Sequence, residues 1–177
     1  MHPLFRRDRP LRGPPIAGDC APGIDAIKVG YPLALAAGLG IAGELAGFGL
    51  PLIADFKVAD ILNTNTLICE QVFAAGFSAV IAQGFPGPDS VAACVEAAHA
   101  HGGECYVVAE MSHPGALTFF SAGVPERLCE IVAETGAEGI SSPATRPKSG
   151  RALRALSAKH MILIGVSNPD PASMAGS

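Results

Sequence analysis

The sequence predicts an α/β fold built from parallel βαβ units. Six short apolar segments recur along the chain, and the first four begin 26 or 27 residues apart. Stretches with helical periodicity lie between them, and this alternation indicates parallel strands joined by crossover helices. The strand segments are nearly continuous apolar runs, as expected where helices cover both faces of a sheet.

The six predicted strands begin at residues 26, 52, 79, 105, 138 and 161. Their sequences are AIKVGY, LIADFK, AVIAQG, CYVVAE, EGISSP and MILIGV. A doubly wound sheet and a (β/α)₈ barrel both fit this spacing. A complete barrel has eight strands in typically ~250 residues. On the barrel interpretation, a chain of 177 residues with six strands is about two strands short.

Four helix-like stretches separate the later strands. The first, TNTLICEQVFAAG, has Asn63 and Thr64 as possible caps and ends at Gly76. The second, PDSVAACVEAAHAHGG, places Val91, Cys94, Val95 and Ala98 on one face. The third and fourth are PERLCEIVAETG, which ends at a glycine, and SGRALRALSAKH.

The two ends of the chain differ from this pattern. Residues 1–23 carry several arginines and prolines without a clear strand, and we expect a poorly ordered N-terminal segment there. Residues 24–166 form the predicted partial barrel domain. Residues 167–177, SNPDPASMAGS, follow the last predicted strand, and we expect a flexible C-terminal tail there.

The composition narrows the possible functions. The chain is 49% hydrophobic and 16% charged, which is typical of one globular domain with a large core. A net charge of −4 gives no electrostatic reason to expect nucleic acid as a partner. No apolar run approaches the ~20 residues that cross a bilayer, and the N-terminus lacks the apolar core of a signal peptide. We therefore expect a cytoplasmic protein that does not bind membranes.

The five cysteines are scattered without C-x-x-C spacing. Such a pattern argues against a disulfide framework and against a zinc site. We expect most of them to lie in the core as small apolar residues.

Charged residues follow the second predicted strand in an unusual pattern. Asp55 and Lys57 lie two apart, so they share one face of the strand at its carboxyl end, where barrel active sites lie. Asp60 follows in the loop, and Lys28 holds the equivalent place on the preceding strand. A lysine held between carboxylates stays charged and can act as a general acid. The alternative is a solvated strand end, with Asp60 or Asn63 capping the next helix.

Five motifs occur in an order and at a spacing that resemble archaeal-type orotidine 5′-phosphate decarboxylases. They are IKVGYPL, ADFKVADI followed by NTN, GFPGPDSV, EMSHPGA and PATRP. The resemblance covers residues 24–166 and implies an incomplete (β/α)₈ barrel of the TIM-barrel type, with strands two to seven present. It implies conversion of orotidine 5′-phosphate (OMP) to UMP and CO₂ in pyrimidine biosynthesis. It also implies a homodimer that uses neither a metal nor an organic cofactor.

The resemblance implies roles for individual residues. Lys57 is the proton donor to C6 of the pyrimidine, and Lys28 and Asp55 complete the charge network beside it. Ser112 hydrogen-bonds the pyrimidine near its carboxylate. The remaining implied substrate contacts are Asp60, Ile61 and Thr64, which reach into the partner subunit's site, and Gly165 and Val166, which are retained from a phosphate-binding loop.

The sequence also departs from the family. The strand-one aspartate is not found, and neither are strand eight and its phosphate-binding arginine. Ile164 replaces a proline of the phosphate loop, the loop glutamine is missing, and Gln83 stands where histidine is expected. Phosphate binding orients such a substrate, so these departures predict impaired activity. The alternatives are a related metal-dependent aldolase, of the hexulose-phosphate synthase kind, and a non-catalytic dimerising remnant.

The segment GLGIAG matches the G-x-G-x-x-G pattern of dinucleotide-binding proteins at Gly38, Gly40 and Gly43. Such a site requires the motif directly after a strand. Here it follows YPLALAA, so we expect the body of a helix.

Overall fold

One parallel sheet organises the molecule. The computed structural model describes residues 13–143, 147–156 and 163–165. Its strands pair in chain order, and every neighbouring pair is parallel. A doubly wound sheet would reverse its strand order at a switch point, so this order confirms the barrel interpretation. The strands are β1 (Ile27–Gly30), β2 (Leu52–Val58), β3 (Ala79–Gln83), β4 (Glu104–Val108), β5 (Gly139–Pro143) and β6 (Leu163–Gly165).

Helices connect the strands, as predicted. Gly136 ends the helix that precedes β5. Its φ of +77° lies in the left-handed region, which a residue without a Cβ adopts easily. The helices are α1 (Gly13–Cys20), α2 (Tyr31–Ala37), α3 (Ile41–Ala46), α4 (Leu62–Ala74), α5 (Pro88–Ala100), α6 (Val124–Thr135) and α7 (Pro147–Leu156), with 3₁₀ turns at Ala21–Gly23 and Pro114–Thr118.

Two local predictions need correction. Helix α4 begins at Leu62, so Asn63 and Thr64 lie within its first turn and do not cap it. The glycine-rich segment is not one helix body, because Gly38 ends α2 with φ +76° and α3 begins only at Ile41. It does lie away from the end of β1, as predicted.

The N-terminal segment is partly helical where the sequence predicts little order. Helix α1 and the 3₁₀ turn occupy residues 13–23, and Ala17 is buried. Side chains of the α2–α3 layer approach it closely: Leu33 lies beside Gly13, and Phe48 lies beside Gly18. Apolar contact with that layer therefore orders this stretch. Val166 and residues 167–177 lie outside the described residues, and the division of the chain at 24 and 166 stays a prediction.

The core lies between the sheet and its helices. The predicted apolar face of α5 is confirmed, since its four residues are at most 2% exposed. All five cysteines are free, and all except Cys20 are buried, as expected of small apolar residues. In the described part of the chain, no helix has the length and apolar character that crossing a membrane requires.

Candidate active site

Three charged side chains meet where β1 and β2 end. Lys28 extends from β1, and Asp55 and Lys57 extend from β2, whose Asp55 is paired with Gly30 of β1. The Lys28 Nζ lies 2.6 Å from one carboxylate oxygen of Asp55, and the Lys57 Nζ lies 2.6 Å from the other. The predicted convergence of these three residues is therefore present, with one carboxylate held between two ammonium groups.

The backbone at Lys57 is strained. Its φ is +48°, in the left-handed region that residues with a Cβ seldom adopt. The pairing of β2 with β3 shifts register between Ala54 and Val58, so a β-bulge surrounds this lysine. A conformation of this kind costs about 1–3 kcal/mol and occurs preferentially at functional sites. Despite the bulge, Lys57 contacts Asp55, as the two-residue alternation predicts.

The environment of Asp55 keeps it ionised. Its side chain is only 12% exposed, whereas those of Lys28 and Lys57 are 33% and 36% exposed. Burial by itself would raise the pKa of Asp55. The hydrogen bonds from the two lysines, together with their positive charges, outweigh that effect, so the pKa lies below its ordinary value of 3.8.

These three residues form one side of an open cavity of about 170 Å³. The opposite wall comes from the carboxyl ends of β4 and β5 and from the residues that follow β4. Ser112, predicted from the EMSHPGA motif, lies in this wall. The wall residues are Val108, Glu110, Met111, Ser112, Ser141, Ser142 and Pro143.

Glu110 is a cavity residue that the sequence reasoning missed. It is only 8% exposed, and its carboxylate accepts hydrogen bonds from the hydroxyls of Ser142 (3.1 Å) and Ser149 (2.9 Å). A signal was present in the sequence, because Glu110 directly follows the apolar run of β4 and begins the EMSHPGA motif. Its hydroxyl partners lie 32 and 39 residues away, and no local pattern indicates them.

The β2–α4 loop places Asp60 outside this cavity. Asp60 is exposed, and its carboxylate accepts the backbone N–H of Ile61 at 2.7 Å. Asp60 is not among the residues that line the cavity of its own chain. Ile61 is 69% exposed, and Thr64 is partly exposed in the first turn of α4.

A buried asparagine fixes the shape of this loop. Asn65 is fully buried, and its Oδ1 accepts the backbone N–H of Asp60 at 3.0 Å. Its Nδ2 donates to the Asp60 carbonyl and to Ser90, whose hydroxyl also donates to that carbonyl. Loop and helix α5 are therefore locked together, and Asp60 and Ile61 are held pointing outward.

Two further predicted positions lie near the wall. Gly165 ends β6 and pairs with Pro143 of the cavity wall, and Val166 falls outside the described residues. Gln83 ends β3, and its Nε2 lies 3.8 Å from the sulfur of Met111. Its Oε1 is buried and has no hydrogen-bond partner within the described residues. In the same residues, no three His, Cys, Asp or Glu side chains are grouped so that they could hold a metal ion.

Fold and site together define a class of protein. It is a (β/α)-barrel protein of the kind that binds small molecules at the carboxyl ends of its strands. Its cavity has a lysine–aspartate–lysine cluster on one side and hydroxyl groups on the other.

Comparison with known proteins gives the family. The model of the Orotidine 5'-phosphate decarboxylase / HUMPS family matches residues 15–166. The chain is 54% identical over 149 residues to the orotidine 5'-phosphate decarboxylase of Methanosarcina barkeri, covering 84% of this chain and 66% of that protein. It is 45% identical to that of Thermococcus kodakarensis, covering 82% of this chain and 64% of that protein.

Solved structures agree with these relatives. The orotidine 5'-monophosphate decarboxylase of Methanocaldococcus jannaschii, complexed with the inhibitor BMP, superposes with a TM-score of 0.79 at 35% identity, covering 88% of this chain and 71% of that one. The enzyme of Pyrococcus horikoshii gives 0.77 at 38% identity, covering 94% and 79%. The chain therefore belongs to the orotidine 5'-phosphate decarboxylase / HUMPS family. It spans slightly less than two thirds of the length of the curated relatives named above.

Proposed function

We propose that the protein decarboxylates OMP to UMP and CO₂, the last step in forming a pyrimidine nucleotide. The observation that carries this proposal is the cluster in which Asp55 is held at 2.6 Å by both Lys28 and Lys57 at the mouth of the barrel. Membership of the family and the names of the relatives support the choice of substrate.

The reaction needs one proton and one stabilised carbanion. The bond between C6 of the pyrimidine and its carboxylate breaks, CO₂ leaves, and the electron pair stays on C6. The Lys57 ammonium stabilises that charge and then transfers a proton to C6, and Lys57 regains a proton from solvent. Asp55, which also accepts the Lys28 ammonium, holds the Lys57 ammonium in position before the reaction begins. Side chains supply every group in this scheme, so no metal or organic cofactor is required.

The opposite wall supports recognition of the pyrimidine. Ser112 lines the cavity, and we assign it to the ring near its carboxylate. Gly165 and Val166 are assigned to the phosphate side, since barrel enzymes bind phosphate at their last two strands. A charged nucleotide does not cross membranes unaided, which supports a cytoplasmic location for the protein.

A homodimer completes the proposed site. Asp60, Ile61 and Thr64 would enter the partner subunit's cavity, with Asp60 close to the ribose. The outward position of Asp60 and the 69% exposure of Ile61 support this arrangement. Mixing Lys57→Ala and Asp60→Asn protomers tests it, because a shared site regains activity that neither variant has alone. A mixture that stays as inactive as its components contradicts the shared site.

The activity itself is tested with the purified chain and OMP. We expect turnover to UMP that Lys57→Ala lowers by about 10²–10⁴-fold, the contribution of a positioned general acid. Asp19→Asn, an exposed change on α1, is the matched control and leaves the rate unchanged. Absence of turnover by the wild-type chain, or full activity of Lys57→Ala, contradicts the proposal.

A related aldolase activity is the second candidate, because the matching family model covers more than the decarboxylases. It would act on a ribulose or hexulose phosphate and depend on a divalent metal. Aldol turnover that requires added metal, without OMP turnover, favours it. Calorimetric binding of UMP without any turnover favours a non-catalytic protein.

A further inference from the structure

We infer that Glu110 is a positioning residue of the active site, which fastens the wall facing the two lysines. This inference rests on the proposed function. The carboxylate is 8% exposed and accepts the hydroxyls of Ser142 and Ser149 on its two separate oxygens. One side chain therefore holds two partners at once.

The two partners belong to different elements. Ser142 lies in β5, Ser149 lies in the first turn of α7, and Glu110 itself follows β4. The backbone strengthens the same junction, because the N–H groups of Ala109 and Glu110 both point to the carbonyl of Ser141, at 3.0 and 3.5 Å. The ends of β4, β5 and α7 are thus joined at a single carboxylate.

This junction sets the position of groups that would touch the substrate. Glu110 and Ser142 line the cavity, and Met111 and Ser112 follow Glu110 directly in the chain and line it too. A shift of Glu110 therefore displaces the hydroxyl of Ser112 relative to Lys57 across the cavity. A misplacement of about 1 Å can lower a rate by about 10²-fold, so the wall must be held firmly.

Steady-state kinetics with OMP tests this role. Glu110→Ala is expected to lower kcat/KM by about 10²-fold, with most of the loss in kcat, since alignment rather than binding is impaired. Glu110→Gln should stay within about tenfold of wild type, because a serine hydroxyl can donate or accept and so keeps both contacts with an amide. Glu96→Gln, an exposed change on α5, is the matched control and is expected to equal wild type.

Two kinetic results would overturn the inference. One is a kcat/KM of Glu110→Ala within about twofold of the wild-type value. The other is a kcat/KM of Glu110→Gln as low as that of Glu110→Ala. If Glu110→Ala does not fold, Ser142→Ala and Ser149→Ala replace it. Each removes one hydroxyl and should lower kcat/KM by about tenfold, and unchanged kinetics in both overturns the inference equally.

A second measurement separates this inference from the proposed function. If the wild-type chain does not turn over OMP, the proposed function is contradicted. Hydrogen exchange then tests the role of Glu110 independently of activity. Residues 139–143 and 147–156 should exchange faster in Glu110→Ala than in the Glu96→Gln control, since the junction is released. Equal exchange rates in the two variants would show that Glu110 does not hold the ends of β4, β5 and α7 together, and would overturn the inference.

Discussion

Replacing Asp55 by asparagine tests the electrostatics of the site most directly. The substitution keeps the shape of the side chain and removes the negative charge that lies 2.6 Å from each of two ammonium groups. Lys28 and Lys57 then face each other without the carboxylate between them. We expect the folded state to lose stability, because two like charges remain where an alternating array stood.

The size of the effect follows from the burial of the three side chains. Exposed ion pairs contribute about 0.2–1 kcal/mol, whereas removing one partner of a fully buried pair costs about 3–5 kcal/mol. Asp55 is 12% exposed and each lysine is about one third exposed, so the cluster lies between these limits. The free energy of unfolding of Asp55→Asn at neutral pH should therefore be lower by about 1–3 kcal/mol.

The stability difference between wild type and Asp55→Asn should depend on pH, and the pKa of Asp55 gives the direction. The pKa of Asp55 is lower in the folded state than its ordinary value of 3.8, so the unfolded chain binds the proton more readily. The stabilisation is complete above that ordinary value and is lost as pH falls through the folded-state pKa. The difference between wild type and Asp55→Asn should shrink towards zero below it.

Urea unfolding of both proteins, followed by circular dichroism between neutral and acidic pH, measures this difference. Asp19→Asn, which changes an exposed aspartate on α1, controls for loss of one negative charge and should show no such trend. A difference that stays constant with pH would refute the reasoning. So would an Asp55→Asn variant that equals wild type in stability at neutral pH.

Three further predictions concern the framework around the site. Asn65→Ala should lower the free energy of unfolding by about 2–3 kcal/mol in urea titrations, because Asp60 and Ser90 lose their hydrogen bonds to Asn65. A loss below about 0.5 kcal/mol would contradict the proposal that Asn65 holds the β2–α4 loop. Gly103→Ala should destabilise by about 1–3 kcal/mol, since its Cβ would lie 2.4 Å from a ring carbon of Phe73. Gly43→Ala, in α3, is the control, because an added Cβ there has no neighbouring atom within 4 Å, and it should be neutral or stabilising by about 0.4–1 kcal/mol. Equal shifts in melting temperature for Gly103→Ala and Gly43→Ala would contradict the predicted clash. In thiol titration of the native protein, only Cys20 should react rapidly, whereas all five cysteines should react after unfolding. Several rapidly reacting thiols in the native protein would contradict the burial of the other four cysteines.

Local patterns predicted much of the fold. The strands were located because buried parallel strands are continuous apolar runs, and α6 ends at a glycine as its sequence indicates. The convergence of Lys28 and Asp55 was also predicted, because parallel strands bring their carboxyl ends to the same edge. The register differs from the predicted equivalence, since Lys28 lies beside Ile53 and Asp55 lies beside Gly30.

Other features depend on contacts that no short pattern contains. Helix α1 forms in a segment of weak signal because Leu33 and Phe48 pack closely against its glycines. Asn63 and Thr64 resemble caps, yet α4 begins before them because Asn65 holds the preceding loop. Tertiary hydrogen bonding thus decides where the helix begins.

By itself, the sequence determined the order of strands and helices and which three charged residues gather at the mouth of the barrel, because both follow from periodicity and chain order. Tertiary structure alone decided that Lys57 sits on a strained bulge, that Asp60 faces outward from its own cavity, and that Glu110 joins three elements. Each of these depends on groups that are adjacent in space but 24 to 39 residues apart in the chain. Their energies arise only when the chain is packed, so a local sequence pattern does not show which partners these groups contact.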